Sequence, residues 1–296
     1  MEFECNFASV RVNPQAWARQ REAEGWDVIS VADHYWMEVG WSPHCFAALG
    51  AIGAVTSRAR LGTGFANNLF RHPVEFAQAA LTMQEISGGR FEAGLGAGWS
   101  GDELRRTGQA LPPTRERAER LVEAVQIVRG IFDGRPFTFE GEHYSVDLGA
   151  RDHVALAPPM LVASVGGAMT LRGVAPFVDR LELKVTSVAT RGGVIDPAAL
   201  AAVSMDDLRR SVAAARDVRP DVPLGLFVLA RARDDERTRA AAAAYPPDSL
   251  MGRAWGEPQQ VFDNLVALED EGISRVHVSA VDEATYVNLG ALLATR

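Results

Sequence analysis

The chain is poor in cysteine. Cys5 and Cys45 are the only two in 296 residues. Each sits in an apolar stretch without CxxC spacing, which argues against a disulfide-stapled scaffold and reads as two reduced, buried thiols. Positive charge is also in deficit: 30 Lys and Arg against 38 Asp and Glu leave a net charge of −8, and the basic residues are scattered rather than gathered in a stripe. That balance speaks against a nucleic-acid partner. No apolar run reaches the length of a membrane span, and Met1-Glu2-Phe3-Glu4 lacks a basic leader region. A cytoplasmic protein without a membrane partner is therefore expected. Histidines and carboxylates do not recur at ligand spacing such as HExxH, so no metal site is expected. There is no GxSxG elbow, and neither cysteine has a companion that would make it a nucleophile, which leaves acyl transfer unsupported.

What is present is core material and alternation. Hydrophobic residues make up 47% of the chain, enough for a large core, and the length admits two ordinary domains or one α/β barrel. Short apolar or β-branched runs predict strands over 3–8, 27–32, 60–64, 90–95, 160–165, 180–185, 223–228 and 275–279. Helical patterns fall between them over 14–24, 43–57, 73–86, 114–132, 168–176, 205–218 and 258–270, several opened by proline or a Thr/Ser cap. Eight strand–helix units favour an α/β (β/α)8 TIM barrel with insertions, one domain over 1–296, rather than a doubly wound sheet. Segment 133–158 carries two alternating arms around Gly141 and reads as an inserted hairpin. Connections 189–204 and 231–256 are long enough to be lids or disordered.

In a barrel the chemistry collects at the carboxyl ends of the strands. Those ends here are polar or glycine-rich: Asp33-His34-Tyr35-Trp36, Gly62-Thr63-Gly64-Phe65-Ala66-Asn67-Asn68, Gly96-Ala97-Gly98-Trp99, Ser164-Val165-Gly166-Gly167 and Lys184-Val185-Thr186-Ser187. The fourth-strand group bares backbone at Gly94, Gly96 and Gly98, and Gly96 to Gly101 even satisfies GxGxxG. A dinucleotide fingerprint needs an acidic residue after the next strand about 20 residues on. Here Glu116, Glu119 and Glu123 lie on a helix pattern instead. His34 is the best candidate for proton transfer, because an imidazole gives and takes a proton near neutral pH. His44, His143, His153 and His277 lack such company and read as structural, and His72 opens a helix. The two glycine nests, with a phosphate placed where Gly166 and Gly167 meet the next helix, and the aromatics Tyr35, Trp36, Trp41, Phe65 and Trp99 together point to a phosphorylated, planar, redox-type cofactor.

The residues that carry this reading resemble the luciferase-like monooxygenase superfamily. They are Asp33-His34, Arg60-Leu61-Gly62-Thr63-Gly64 running to His72-Pro73, Ser87-Gly88-Gly89-Arg90-Phe91 running to Gly98-Trp99, Ser164-Val165-Gly166-Gly167, and Trp255-Gly256-Glu257-Pro258. More narrowly they are similar to its branch of oxidoreductases that use the deazaflavin coenzyme F420. The resemblance implies a bacterial-luciferase-like barrel, usually a homodimer, with a non-proline cis peptide at Gly64-Phe65 backing the ring. It implies that Asp33 meets the ring system, that His34 moves a proton, and that Ser164, Val165, Gly166 and Gly167 hold the phosphate-bearing tail with Gly96, Ala97 and Gly98 nearby. Asn67 and Asn68 would bond the ring edge or the substrate. Trp99 stands where the sugar-phosphate branch carries a catalytic glutamate, and no basic cluster for a sugar phosphate is evident, so that substrate is not expected. Tyr35, Trp36, Trp99, Lys184 and Thr186 are the expected contacts to a small organic substrate. Hydride transfer with F420 leads. An FMN-dependent monooxygenase using reduced flavin and oxygen is the alternative, and a non-catalytic flavin-binding barrel the third reading.

Overall fold

The computed structural model describes residues 1–9, 11–37, 40–149 and 156–296; His153 lies outside the described residues. Eight parallel strands, β1 (Glu2–Phe7), β2 (Val28–Val31), β3 (Arg60–Thr63), β4 (Phe91–Gly96), β5 (Met160–Val165), β6 (Arg180–Leu183), β7 (Leu224–Ala232) and β8 (Arg275–Ala280), pair in chain order. β8 pairs with β1, and β4 with β5, so the sheet closes into the expected barrel. Outward-facing Phe3, Cys5, Ile29, Leu61, Phe91, Leu95, Leu161, Leu181, Leu226 and Val276 are buried beneath the helices. Both cysteines are free and buried there.

Helices α1 (Pro14–Ala23), α2 (Cys45–Gly53), α3 (Pro73–Ile86), α4 (Gly101–Arg106), α5 (Thr114–Phe132) and α6 (Ala168–Val174) follow the first five strands. Proline opens α1 and α3, and Asn13 caps α1 through Ala16 N–H at 2.9 Å. The helix expected over 43–57 is shorter at both ends: His44 accepts from Ala47 N–H as its cap, and α2 stops at Gly53. His72 likewise caps α3, accepting from Val74 N–H. The arms Phe137–Glu140 and Ser145–Leu148 form the inserted hairpin.

The two long connections are not open loops. Segment 189–204 holds α7 (Pro197–Ala201), after a 3-10 turn Val185–Thr190, and leads into α8 (Met205–Val218), which starts with a Ser204/Asp207 capping box. Segment 231–256 holds α9 (Glu236–Ala243), α10 (Leu250–Ala254) and the short strand Trp255–Gly256 on β7. The alanine run is thus helical, started by the Asp235 side chain accepting from Thr238 N–H. After α11 (Pro258–Val266), a last helix α12 (Glu283–Leu293) covers β8, which the sequence pattern did not signal.

The interior of the barrel is ionic, where branched apolar side chains usually dominate. Alternation sends Glu2 and Glu4, Arg60, Glu92, Arg180 and Glu182, Arg275 and His277 inward. Arg275 is 2% exposed and grips Glu92 through two bonds of 2.5 and 2.8 Å. Arg60 bridges Glu2 and Glu92, and Arg180 reaches Glu2 and Ser274. Arg180, the first residue of β6, therefore belongs to the face opposite the mouth.

Candidate active site

The mouth is organised around β3. The peptide Gly64-Phe65 is cis, as the resemblance implies. The chain then bulges and rejoins β4 through Ala66 and Asn67. Gly94 makes room for this bulge: a Cβ there would overlap the Thr63 carbonyl oxygen and the Phe65 ring. Gly98, at φ 76°, makes room for the Asn67 side chain. These two fourth-strand glycines are thus used by the chain itself, not as backbone bared for a ligand. Gly96 also lies against Phe65, and Asn68 N–H donates to its carbonyl at 3.0 Å.

Asp33 is buried and committed. One carboxylate oxygen accepts from Asn67 N–H at 2.8 Å, and Arg71 donates to both oxygens at 2.5 and 3.1 Å. It therefore acts on the mouth by fixing the bulge, with its charge neutralised by Arg71. Asn67 Oδ1 accepts from Leu69 N–H, and Asn68 Nδ2 donates to the Tyr144 hydroxyl of the hairpin at 3.3 Å. Tyr35 stacks on Phe70 at 4.2 Å, while Trp36 meets the exposed Trp41 edge-on.

His34 is part of a dyad. Its Nδ1 lies 2.8 Å from Glu103 Oε2, and the other oxygen of Glu103 accepts from Tyr35 N–H at 2.6 Å. Burial alone would raise the Glu103 carboxyl, but the bonds from His34, Ser100 and Tyr35 bring it below the ordinary glutamate value. An ionised Glu103 only accepts, so the His34 proton sits on Nδ1 and Nε2 is left for the mouth. Trp99 packs edge-on against the imidazole at 5.7 Å. Glu103 comes from α4 at the position three residues past Ser100, where an acidic residue reads as an ordinary capping partner; that spacing concealed it.

Below the bulge, His277 has the company its sequence context withheld. Asn6 Nδ2 donates to the Gly64 carbonyl at 3.0 Å and lies 3.0 Å from His277 Nε2, while Nδ1 stands 3.0 Å from Glu4. Burial, aided by the Arg275 and Lys184 charges, holds this imidazole below its usual pKa. His277 also touches the Phe65 and Phe227 rings, at 5.6 and 5.2 Å. It supports the floor of the mouth, so its structural role is one of positioning.

Ser164 to Gly167 end β5 beside a cleft of about 540 Å³ lined by Gly166, Gly167, Lys184, Ser187, Arg191 and Arg210. Val165 turns its side chain into the core, so it offers only backbone. Gly166 is packed by the Ser187 side chain, whereas a Cβ on Gly167 would stand in open space. Thr186 is buried behind the cleft. At the hairpin, Glu119, Glu142 and His143 bring ligand-type atoms within 4.8 Å of one another, a grouping that linear spacing does not reveal. Glu119 is already paired with Arg115 at 2.7 Å.

The chain is similar to known proteins along most of its length. It is 26% identical to the F420-dependent glucose-6-phosphate dehydrogenase of Nocardia farcinica, with 90% of this chain and 88% of that one aligned. It is 35% identical to the enzyme of the same name from Kineococcus radiotolerans over 52% of this chain and 47% of that protein. In such alignments the chain spans about half the length of the curated relatives it matches. Among solved structures, an F420-dependent secondary alcohol dehydrogenase in complex with an F420-acetone adduct superposes with a TM-score of 0.70 at 17% identity, all of both chains being covered. The monooxygenase RslO1 of Streptomyces bottropensis superposes at 0.72 and 18% identity, covering 100% of this chain and 98% of that one. Both confirm the barrel. The profile described as luciferase-like monooxygenase matches residues 13–254, and the chain belongs to that family.

Proposed function

We propose that the protein is an oxidoreductase that holds coenzyme F420 at the barrel mouth and exchanges a hydride with a small organic substrate. The observation that carries this reading is the His34–Glu103 dyad at the same carboxyl-terminal end of the barrel strands as the Gly64-Phe65 bulge and the Gly167 cleft. The residues present fit the coenzyme: Phe65 and the bulge offer a wall for a flat ring, and Gly167 leaves the space a Cβ would fill, with Ser187, Arg191 and Arg210 near enough for an anionic tail. The relatives named for F420 support the choice of cofactor. When bound, the deazaflavin supplies a carbon that accepts or gives a hydride.

The chain's own residues do the rest. His34 holds the coupled proton on Nε2, with Glu103 fixing the tautomer through Nδ1. Asp33 and Arg71 hold the bulge, and Gly96, Ala97, Ser164, Val165 and Gly166 contribute backbone along the cofactor's path. Tyr35, Trp36, Trp99 and Lys184 border the substrate, whereas the buried Thr186, expected there from the sequence, does not. The working form is taken as a cytoplasmic homodimer of a one-domain chain; no described helix is long and apolar enough to cross a membrane. The test is His34→Ala in an anaerobic F420 assay: cofactor binding persists while turnover with the substrate falls by about 10²- to 10⁴-fold, the usual weight of a general acid or base. Unchanged turnover removes His34 from the mechanism.

A further inference from the structure

Lys184 is the only lysine in the sequence. It stands at the carboxyl end of β6, on the inward face two residues beyond Glu182, and lines the cleft beside the mouth. The other inward cations are matched to carboxylates: Arg275 to Glu92 and Glu4, Arg60 to Glu2 and Glu92, Arg180 to Glu2. The Lys184 ammonium has no ion-pair partner among the described residues. Its neighbour is the face of the Phe227 ring, 5.1 Å from the ring centre. Burial and the Glu4 charge push the Glu182 carboxyl below it well above the ordinary glutamate value. Burial accordingly pushes the ammonium down to about 8.

A half-buried cation on an aromatic wall at the edge of a cleft, without a carboxylate of its own, is best completed by an anion. We propose that Lys184 is the charge subsite for the substrate, and that the substrate is a small organic carboxylate. One ammonium on an apolar wall suits a single carboxylate better than a phosphate, which the chain's arginines would grip with two parallel bonds. The proposal rests on the redox reading for its setting, but its test does not need turnover.

Because the lysine is unique, protein grown on ¹³C-lysine gives one Cε signal, and its pH titration reports Lys184 alone. Propionate, with neutral propionamide as control, is added to the free protein and to the protein with F420. Propionate is expected to raise the titration midpoint by about one pH unit in both, since a nearby anion favours the charged amine, and propionamide to leave it unmoved. Lys184→Met is expected to bind propionate about tenfold more weakly, the weight of one charge-assisted hydrogen bond, with propionamide binding unchanged in ligand-observed NMR. A midpoint that propionate does not move overturns the proposal. So does one that F420 alone restores to the ordinary lysine value with no further effect of propionate, because the charge would then serve the coenzyme. If F420 fails to bind but propionate still moves the signal, the cofactor assignment falls and the subsite stands.

Discussion

Glu103 tests the dyad at the scale of a residue. Glu103→Gln keeps the shape of the side chain but removes the charge that holds the His34 proton on Nδ1. kcat is expected to fall by about 10- to 100-fold with little change in F420 affinity, because an amide no longer fixes the imidazole tautomer. A loss confined to cofactor affinity would make the pair a scaffold contact. Gly94 tests the bulge. Gly94→Ala drives a methyl into the Thr63 carbonyl and the Phe65 ring, so a loss of about 1–3 kcal/mol in urea unfolding is expected. An unchanged midpoint would show that the bulge yields. His34 was legible in the sequence because its type and its place after a strand both point to proton transfer. Glu103 was not, since nothing in Ser100-Gly101-Asp102-Glu103 distinguishes a helix cap from the partner of an imidazole. Asp33 was legible as a mouth residue, but its pairing with Arg71, 38 positions away, was not.

The strands tell a similar story one level up. Their outward faces could be read because apolar runs between helices have one plausible destination. Their inward faces could not: Glu4, Glu92, Glu182 and Arg275 come from four strands, and only barrel closure makes them neighbours. The helices of 231–256 were hidden by an alanine run and Pro246-Pro247, which signal a loop until the Asp235 cap is seen. Between β6 and β7, Glu182 lies opposite Gly225, whose missing side chain makes room for the carboxyl. Neither carboxyl oxygen has a hydrogen-bond partner, and burial with the Glu4 charge pushes this group well above the ordinary glutamate value. Between the ordinary and the raised value, the unfolded chain has lost a proton that the folded chain keeps, so stability falls as pH rises through that window. Glu182→Gln removes the linkage: the urea midpoint of the variant is expected to gain on that of the parent as pH rises above the ordinary glutamate range. Parallel pH dependences would mean that Glu182 ionises in the folded barrel. Arg275→Met, by contrast, leaves the buried Glu92 with Arg60 as its remaining partner and is expected to cost about 3–5 kcal/mol in the same experiment.

At the scale of the whole molecule, an all-parallel barrel covered by helices follows from the alternation along the chain, and closure is what brings five strand ends to one mouth. The ionic interior gives that mouth a rigid polar floor, with His277 and Asn6 tied to Gly64 beneath the bulge. The choice between two flat, phosphorylated cofactors was never legible in the residues, because both present a similar ring to the same wall. It is settled by an anaerobic titration of the purified protein with F420 and, separately, with FMN, following cofactor and tryptophan fluorescence. The account predicts saturable binding of F420, tighter than that of FMN. Preference for FMN, with oxygen consumed once the flavin is reduced, would contradict it and place the protein with the flavin monooxygenases. Binding of neither would leave a barrel whose mouth has lost its cofactor.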